Sequence, residues 1–490
     1  MVNKAPYYLI IIAIFVIASF MSVTRYESLH STVMDFAVYT DQFYNVNHLN
    51  NWKSVFSTHI QPFVLLYAWV YSLFPELYAH IPILLIQNLL LILPSVWILK
   101  EFGRAGALSY LLFFPLWFNF LFDFHIDHIA VPLLYWFFIF HNRGQFFKSS
   151  LCALGLILVK DIFLFQALSC GLYLIFFSNI KYRLKGALYG LIIIIVGLFL
   201  LYLYKELPIA VLNINYNFEF IERLQDRFDN KGVIDFFNTL LSELSTEGKA
   251  KYILLLFFAL GFVPLLAPKY LLVAAPILAS SLLSDSVEHY NIASHYTIGL
   301  IVPMMLSFIN GLSIAKKILI KINFSSRMFF IYLYSFLLLL HVAISPSPIS
   351  RLFWSSKIWN YNYMAYVNTS RDLMIKKTLN DVFSRKKNIY ISIQNSLNWS
   401  PLLNGNKILL FPLGVTPDDN GKYIKKGVSA DYVVVDTKRP WYVLDKGCDW
   451  VFNKCTNNDK AMEYLSWIDK SRRTMNVLFE KDGFIILKKK

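Results

Sequence analysis

Charge is what this chain has least of. Asp, Glu, Lys and Arg make up 16% of its 490 residues, well below the quarter or so of an ordinary soluble domain. That scarcity excludes a disordered chain, a coiled coil and a conventional cytosolic enzyme. Four cysteines are too few to staple a chain of this length, so a disulfide scaffold is excluded too. No His-Glu-x-x-His or other tight metal-ligand spacing occurs, no internal repeat is visible, and no basic, aromatic recognition motif points to nucleic acid. In their place stand 57% hydrophobic and 17% aromatic residues, with a mean hydropathy of +0.49.

The charge is also unevenly placed. The 46 Lys+Arg and 31 Asp+Glu leave +15, and the stretch from Ile349 onward holds 24 of the basic and 13 of the acidic residues, or +11. Two unlike parts meet near Ser345, which places a membrane domain at 1–345 and a soluble domain at 346–490.

A helix needs about 20 mostly apolar residues to cross a bilayer. Ala5 to Val23, behind Lys4, meets that length and reads as a signal anchor, because no small-residue cleavage site follows before Arg25. Ten further spans are expected at His80–Leu99, Ala105–Leu121, His128–Phe140, Ser149–Val159, Ile162–Phe177, Gly186–Tyr204, Tyr252–Leu266, Tyr270–Leu283, His295–Asn310 and Met328–Ile344, eleven in all. Ile60 to Phe74, with Pro62 near its start and Pro75 after it, is expected to lie in the interface as a juxtamembrane helix within an outer loop, 25–79.

The positive-inside rule tests this arrangement. Lys4, Lys100, Arg104, Arg143, Lys148, Lys181, Arg183, Lys185, Lys269, Lys316, Lys317, Lys321 and Arg327 then share one side, 13 basic residues against Glu101 alone, while the other side before Ser345 holds nine basic and 17 acidic residues. The expectation is a multi-pass protein of the plasma (cytoplasmic) membrane, with its amino terminus in the cytoplasm and its carboxy-terminal domain outside. That outer domain reads as α/β. Tyr366–Val382 and Lys460–Arg472 look helical, Asn388–Ile393 and Lys407–Phe411 look like strands, and Asp431–Asp436 reads as a buried parallel strand. Met475–Phe479 and Phe484–Leu487, joined through Asp482-Gly483, read as a hairpin. No phosphate-binding glycine motif appears in it. Cys448 and Cys455 would be able to pair in an oxidising compartment, whereas Cys152 and Cys170 read as small packing residues inside spans.

Ionisable groups at membrane boundaries are costly enough to need a reason, and in this topology they gather on the outer face. Asp35 and Asp41 follow the first span, His59 precedes the interfacial helix, and Asp123, His125, Asp127 and His128 fill the loop after the third span. Lys160-Asp161 joins the fifth and sixth spans, and Asp285, Glu288, His289 and His295 lead into the tenth. Each has a plain structural reading: Asp35 as a helix cap, Asp41 as a solvated surface acid, the imidazoles as backbone partners, and Lys160 with Asp161 as an ion pair. The convergence of five segments on one surface argues instead for a site.

A long outer loop bearing Asp35, a lysine at the outer tip of a short helix pair and a trailing outer domain resemble the GT-C class of integral-membrane glycosyltransferases. Met34–Gln42, His59–Tyr67, Phe122–Pro132, Val159-Lys160-Asp161, His295-Tyr296 and Asp431–Asp436 are similar, more closely, to a family of polytopic membrane proteins of unknown function grouped with that class. Where that family tends to show His-Pro-Glu this chain has His125-Ile126-Asp127, and Lys-Glu-Asp is shortened to Lys160-Asp161. The first change shortens a carboxylate arm and removes a rigid proline. The resemblance implies a GT-C-like, all-α polytopic domain that takes a hexosyl or pentosyl group from a polyprenyl-phosphate carrier in the bilayer to a glycan, lipid or protein acceptor.

In that chemistry a carboxylate accepts the acceptor's proton and a cation neutralises the departing phosphate. Asp35 is the expected catalytic base and Lys160 the phosphate partner, with Arg223 and Arg227 as further cations. Asp41, His59, His125, Asp127, Asp161, His289 and His295 are expected to bind the substrate. A divalent metal, Mn or Zn, is compatible with the His and Asp donors. A transporter or flippase of the same lipid-linked sugar is the main alternative, and a non-catalytic membrane protein of the same fold the next. Transporters tend to carry their charges near the midplane and in internal repeats, whereas here the charges sit at span ends.

Overall fold

The computed structural model describes every residue except 1–3, 57–58, 213–217, 229–232, 356–360, 400–404, 416–428, 439–447, 450–453 and 456–457. Helices dominate it, and a small sheet domain closes the carboxy-terminal end. Five helical stretches are long and apolar enough to cross a membrane: Ala5–Glu27 (α1), His80–Glu101, Ile180–Glu206, His295–Lys321 and Ser326–Ile344. Their surroundings differ. Most of His295–Lys321 is buried (78% of its most apolar stretch), so this helix forms the centre, while Ala5–Glu27, Ile180–Glu206 and Ser326–Ile344 are only 17–28% buried. The outward faces of these three carry Leu9, Val16, Phe20, Leu184, Ile195, Phe199 and Leu339. An apolar surface of that extent is stable against lipid and not against water.

The other expected spans fall on shorter helices, which are interleaved with the long ones along the chain. In order come α2 (Val38–His48), α3 (Val64–Ser72), α4 (His80–Glu101), α5 (Gly103–Leu112), α6 (Phe114–Leu121), α7 (Ala130–Asn142), α8 (Phe146–Ile157), α9 (Asp161–Phe177) and α10 (Arg183–Leu212). Ala105–Leu121 is therefore two helices. Phe113 is extended (φ −69°, ψ 97°) where they meet, because Pro115 has no N–H to bond the Leu111 carbonyl and its ring clashes with that carbonyl in a continuous helix. The chain continues through α11 (Glu219–Phe228), α12 (Val233–Ser245), α13 (Glu247–Phe258), α14 (Leu271–Leu282), α15 (Ile298–Lys321) and α16 (Ser326–Ile344). Helices α9 and α10 touch backbone to backbone at Gly171 and Gly190, where a Cβ on Gly190 would lie 2.5 Å from the Gly171 carbonyl oxygen. Small residues permit this approach, and it seals α9 into the interior.

The stretch Ile60–Phe74 does contain a helix, α3, with Val64, Tyr67, Ala68 and Tyr71 buried and Leu65, Leu66, Trp69, Leu73 and Phe74 exposed. An apolar outer face of that kind fits the membrane interface.

The bundle has two chemically distinct ends. At one, the Lys4 ammonium donates to the Leu99 carbonyl at 3.3 Å, Arg143 pairs with Glu101, and Tyr182 packs near Gly144. The start of α1, the end of α4, the α7–α8 turn and the start of α10 thus share this end, as the distribution of basic residues requires. At the other end lie the carboxyl end of α1 and the amino ends of α4, α7, α9 and α15.

The sheet domain contains α17 (Ser370–Phe383), β1 (Tyr390–Ile393), β2 (Lys407–Leu410), β3 (Tyr432–Asp436), β4 (Cys448–Asp449), β5 (Lys454–Cys455), α18 (Asn458–Thr474), β6 (Met475–Lys481) and β7 (Phe484–Lys489). The main sheet runs β2-β1-β3-β7-β6. Strand β3 is buried throughout, as its β-branched run demands, but it is parallel only to β1 and runs antiparallel to β7. An unbroken apolar run reports burial on both faces and is silent on direction. The Asp482-Gly483 turn has positive φ at both residues (50° and 81°), the backbone that a two-residue hairpin needs. Cys448 and Cys455 stand opposite each other in the antiparallel β4–β5 ribbon. Cys170 is buried and Cys152 partly buried, both unbonded, in keeping with a packing role.

This domain grips the segment that follows α1. Lys376 of α17 binds the Glu27 carboxylate at 2.7 Å, and the Asn395 carbonyl and side chain accept from the Val33 and Met34 N–H groups at 2.8 and 2.9 Å. The Asn398 amide donates to Ser31 Oγ and the Thr32 carbonyl, both at 3.0 Å. The segment leading to Asp35 is therefore held from both sides.

Candidate functional site

The site is assembled around a buried ion pair. Arg25, in the last turn of α1, reaches the Leu121 carbonyl at 2.7 Å and Asp123 at 3.1 Å, and both side chains are 4% exposed. Asp123 in turn accepts from the Thr32 N–H and hydroxyl, both at 2.7 Å. Thr32 Oγ1 also lies 2.5 Å from Asp35 Oδ2. A hydroxyl has one proton, so Thr32 donates to only one of the two carboxylates at a time. Burial pushes Asp123 upward, with Arg25 opposing and the Asp35 charge adding to the rise.

Immediately after Thr32 the chain makes a π-helical turn, Val33–Ala37, before α2. Such widened turns re-aim side chains and recur at functional sites. This one presents Asp35 to His125 Nε2 at 3.2 Å. Burial alone would raise the Asp35 carboxyl, but the hydrogen bond and charge of His125, then Thr32 and Arg25, outweigh it and hold Asp35 below the usual carboxylate range. His125 is fixed through its backbone N–H, which donates to Gln87 Oε1 of α4 at 3.0 Å. Its ring stacks on that of His295, centroids 3.5 Å apart and planes 11° from parallel.

From His295 the constellation passes to Asp127, whose Oδ2 is 3.9 Å from His295 Nε2 and 3.6 Å from the Lys160 ammonium. Lys160 is the extended residue (φ −165°, ψ 152°) before α9. The ion pair with Asp161, the plain structural reading of this dipeptide, is not the one formed. Asp161 turns to the Ile162 N–H at 2.9 Å and to His59 Nδ1 at 3.2 Å, because a carboxylate at the first residue of a helix is drawn to the free N–H groups there.

These groups open onto a pocket with about 670 Å³ of empty space, its mouth included, lined by His59, Asp127, Lys160, Asp161, Arg223, Ser280, Ser281, His289, His295 and Tyr296, with apolar walls from Phe163, Phe165, Phe218 and Ile277. Arg223 of α11 donates to the Ser280 carbonyl at 2.9 Å and to His289 Nδ1 at 3.0 Å. His289 accepts that bond as a neutral ring. Burial first, then the charges of Arg223, Lys160 and His59, pull it down to about 3.

Of the nine residues singled out from sequence, six line this pocket: His59, Asp127, Lys160, Asp161, His289 and His295. His125 and Asp35 lie directly behind His295 and are not on the pocket wall, and the Asp35 side chain keeps 24% exposure. Asp41 is also off the wall, bonded to Asn45 at 3.0 Å within α2. Arg227 turns away to Glu243 and Asp285, whereas Arg223 joins the site. Arg25, Thr32, Gln87 and Tyr296 were not legible as site residues. Arg25 carried a signal, a guanidinium in the last turn of an apolar span, but its partner is 98 residues away.

Asp41 makes a separate test possible. Burial raises it to about 6. The folded form therefore holds this proton more tightly than the unfolded chain, and the penalty at neutral pH is relieved as pH falls through 6 toward 4. Asp41→Asn is expected to stabilise the protein at pH 7.5 by up to about 2 kcal/mol and to lose part of the gain in melting temperature that wild type shows at pH 5. Melting curves in detergent at both pH values check this, and an unchanged pH dependence in the variant counts against it.

The profile of a family described as a predicted membrane protein (DUF2079) matches residues 23–442. No curated protein and no solved structure matches the chain.

Proposed function

We propose, from the premise that the chain belongs to this family of membrane proteins, that it transfers a sugar from a polyprenyl-phosphate carrier to an acceptor at the pocket end of the helix bundle. The observation that carries the reading is the arrangement of charge in and behind the pocket. Lys160 and Arg223 line the wall, where they suit a phosphate as point charge and fork, and the ionised Asp35 lies behind the stacked imidazoles of His125 and His295. An inverting transfer needs that division, with the leaving phosphate met on one side of the sugar and the acceptor's proton taken on the other. Asp127 suits the base less well, because it is already 3.6 Å from the ammonium that would take the phosphate.

The amino ends of α7, α9 and α15 face this region, and their partial positive charge favours an anionic head group. A pocket with one charged, polar side and apolar walls from Phe163, Phe165, Phe218 and Ile277 suits a polar head on a lipid. The reading includes the eleven-crossing topology, with the sheet domain and pocket on the extracytoplasmic side of the plasma membrane. The segregation of Lys4, Lys100 and Arg143 at the far end supports it.

The test is reconstitution into liposomes with radiolabelled polyprenyl-phosphate sugars and a membrane extract as acceptor. Label leaving the carrier and appearing on an acceptor is the expected result. Movement of intact carrier across the bilayer without transfer overturns the reading in favour of a flippase.

A further inference from the structure

The donor atoms of Asp35, His125 and His295 lie within 4.8 Å of one another, although the residues come from three distant segments. We propose that these three side chains hold one divalent transition-metal ion. The inference deepens the transferase reading and rests on it only for the ion's role in the reaction, since binding itself involves no sugar.

Two independent observations point to a ligand at this place. The first is a deficit of partners. Both ring nitrogens of His295 and Nδ1 of His125 are buried without a hydrogen bond, in residues only 4% and 7% exposed. Buried polar atoms are nearly always satisfied, and leaving one unpaired costs about 1–3 kcal/mol. An ion takes the one lone pair of each neutral ring and so meets part of this deficit, leaving the other nitrogen of each ring as an N–H donor. The second is a deficit of cationic charge. Asp123 has Arg25 and Asp127 has Lys160 as ion-pair partners, but among the described residues Asp35 has no Lys or Arg within ion-pair distance and is met by the His125 ring and the Thr32 hydroxyl.

The donor set selects the kind of ion. Two imidazoles and one carboxylate suit Zn2+ or Mn2+, whereas Ca2+ and Mg2+ prefer oxygen donors throughout. Bonds of about 2.0–2.2 Å bring donor atoms to within about 4.4 Å of each other, so the three must close slightly, and because an imidazole binds in its ring plane one of the two stacked rings must also turn out of the stack. A support for the carboxylate is already present in Thr32, bonded to Asp35 Oδ2, as ligating carboxylates usually require. Three protein donors leave positions open beside the pocket. An acceptor hydroxyl bound there would lose its proton more readily, with Asp35 acting beside the ion.

The experiment uses the full chain purified in detergent, stripped with a chelator, reloaded with Zn2+ or Mn2+ separately and analysed for metal after gel filtration. Wild type is expected to retain one equivalent of one of these ions. His125→Ala and His295→Ala are expected to bind it on the order of 100-fold more weakly or worse, while Asp41→Asn, off the pocket wall, retains it. Where an alanine variant does not fold, Mn2+-loaded wild type is examined by pulsed electron paramagnetic resonance, and couplings from two directly bound imidazole nitrogens are expected. Retention of neither ion by wild type, undiminished retention in folded histidine variants, or the absence of nitrogen couplings overturns the inference. Ion binding without sugar transfer removes only the transferase reading, and transfer without any ion removes only this one.

Discussion

Asp35→Asn and Lys160→Ala are each expected to lower the proposed sugar transfer in proteoliposomes by on the order of 100-fold to 1,000-fold, through different kinetic constants. Asparagine keeps the shape of Asp35 and its hydrogen bond to Thr32 but removes the negative charge that takes the acceptor's proton. The loss therefore falls on kcat, with KM for the lipid-linked donor little changed. Lys160→Ala removes the cation that meets the phosphate before and during departure, so both constants suffer.

The lysine variant has a structural consequence that must be separated from the chemical one. It leaves Asp127, 5% exposed and 3.6 Å from the lost ammonium, as a buried charge without its cation, and breaking such a pair costs roughly 3–5 kcal/mol. The double variant Lys160→Ala/Asp127→Asn restores neutrality. It is expected to regain much of the melting temperature while remaining inactive. Undiminished transfer in both single variants removes these assignments. Full recovery of activity in the double variant shows that Lys160 serves the fold and not the phosphate.

Arg25→Met is expected to cost stability on the same scale. Methionine keeps much of the aliphatic stem but leaves Asp123 without the guanidinium 3.1 Å away and the Leu121 carbonyl without its donor. A cost on the order of 3–5 kcal/mol is expected. The stacking of the guanidinium over Tyr361, 5.3 Å from the ring centroid, is lost as well. Arg25→Met/Asp123→Asn should recover a large part of that cost, and the double-mutant cycle measures the coupling directly. Because Asp123 anchors Thr32 and Thr32 supports Asp35, the single variant is also expected to lower transfer. Melting temperatures that fall equally in the single and double variants sink the proposed coupling.

The bundle and the sheet domain were legible from sequence for different reasons. A long run of apolar residues ending at Lys100, or a β-branched run such as Tyr432–Val435, reports burial on all sides, and burial is a local property of the residues. Length was the weak point. The stretch Ala105–Leu121 reads as one span by hydropathy, yet Pro115 breaks it into two helices, because hydropathy is insensitive to a missing N–H. The direction of β3 escaped for a similar reason, since composition does not distinguish a parallel neighbour from an antiparallel one.

By itself the sequence singled out ionisable groups costly enough at a membrane boundary to argue for a site, namely Asp35, Asp41, His59, His125, Asp127, Lys160, Asp161, His289 and His295. Only the tertiary structure decided who meets whom. Lys160 finds Asp127 and not its neighbour Asp161, His125 stacks on His295, Arg223 enters the pocket while Arg227 turns away, and Asp41 stands apart. The physical reason is range. Burial and the cost of desolvation are set residue by residue, whereas a pairing depends on which side chains from distant segments the helix crossings and the sheet domain's grip on residues 27–34 bring to within about 4 Å, where Coulomb and hydrogen-bond energies become large enough to choose.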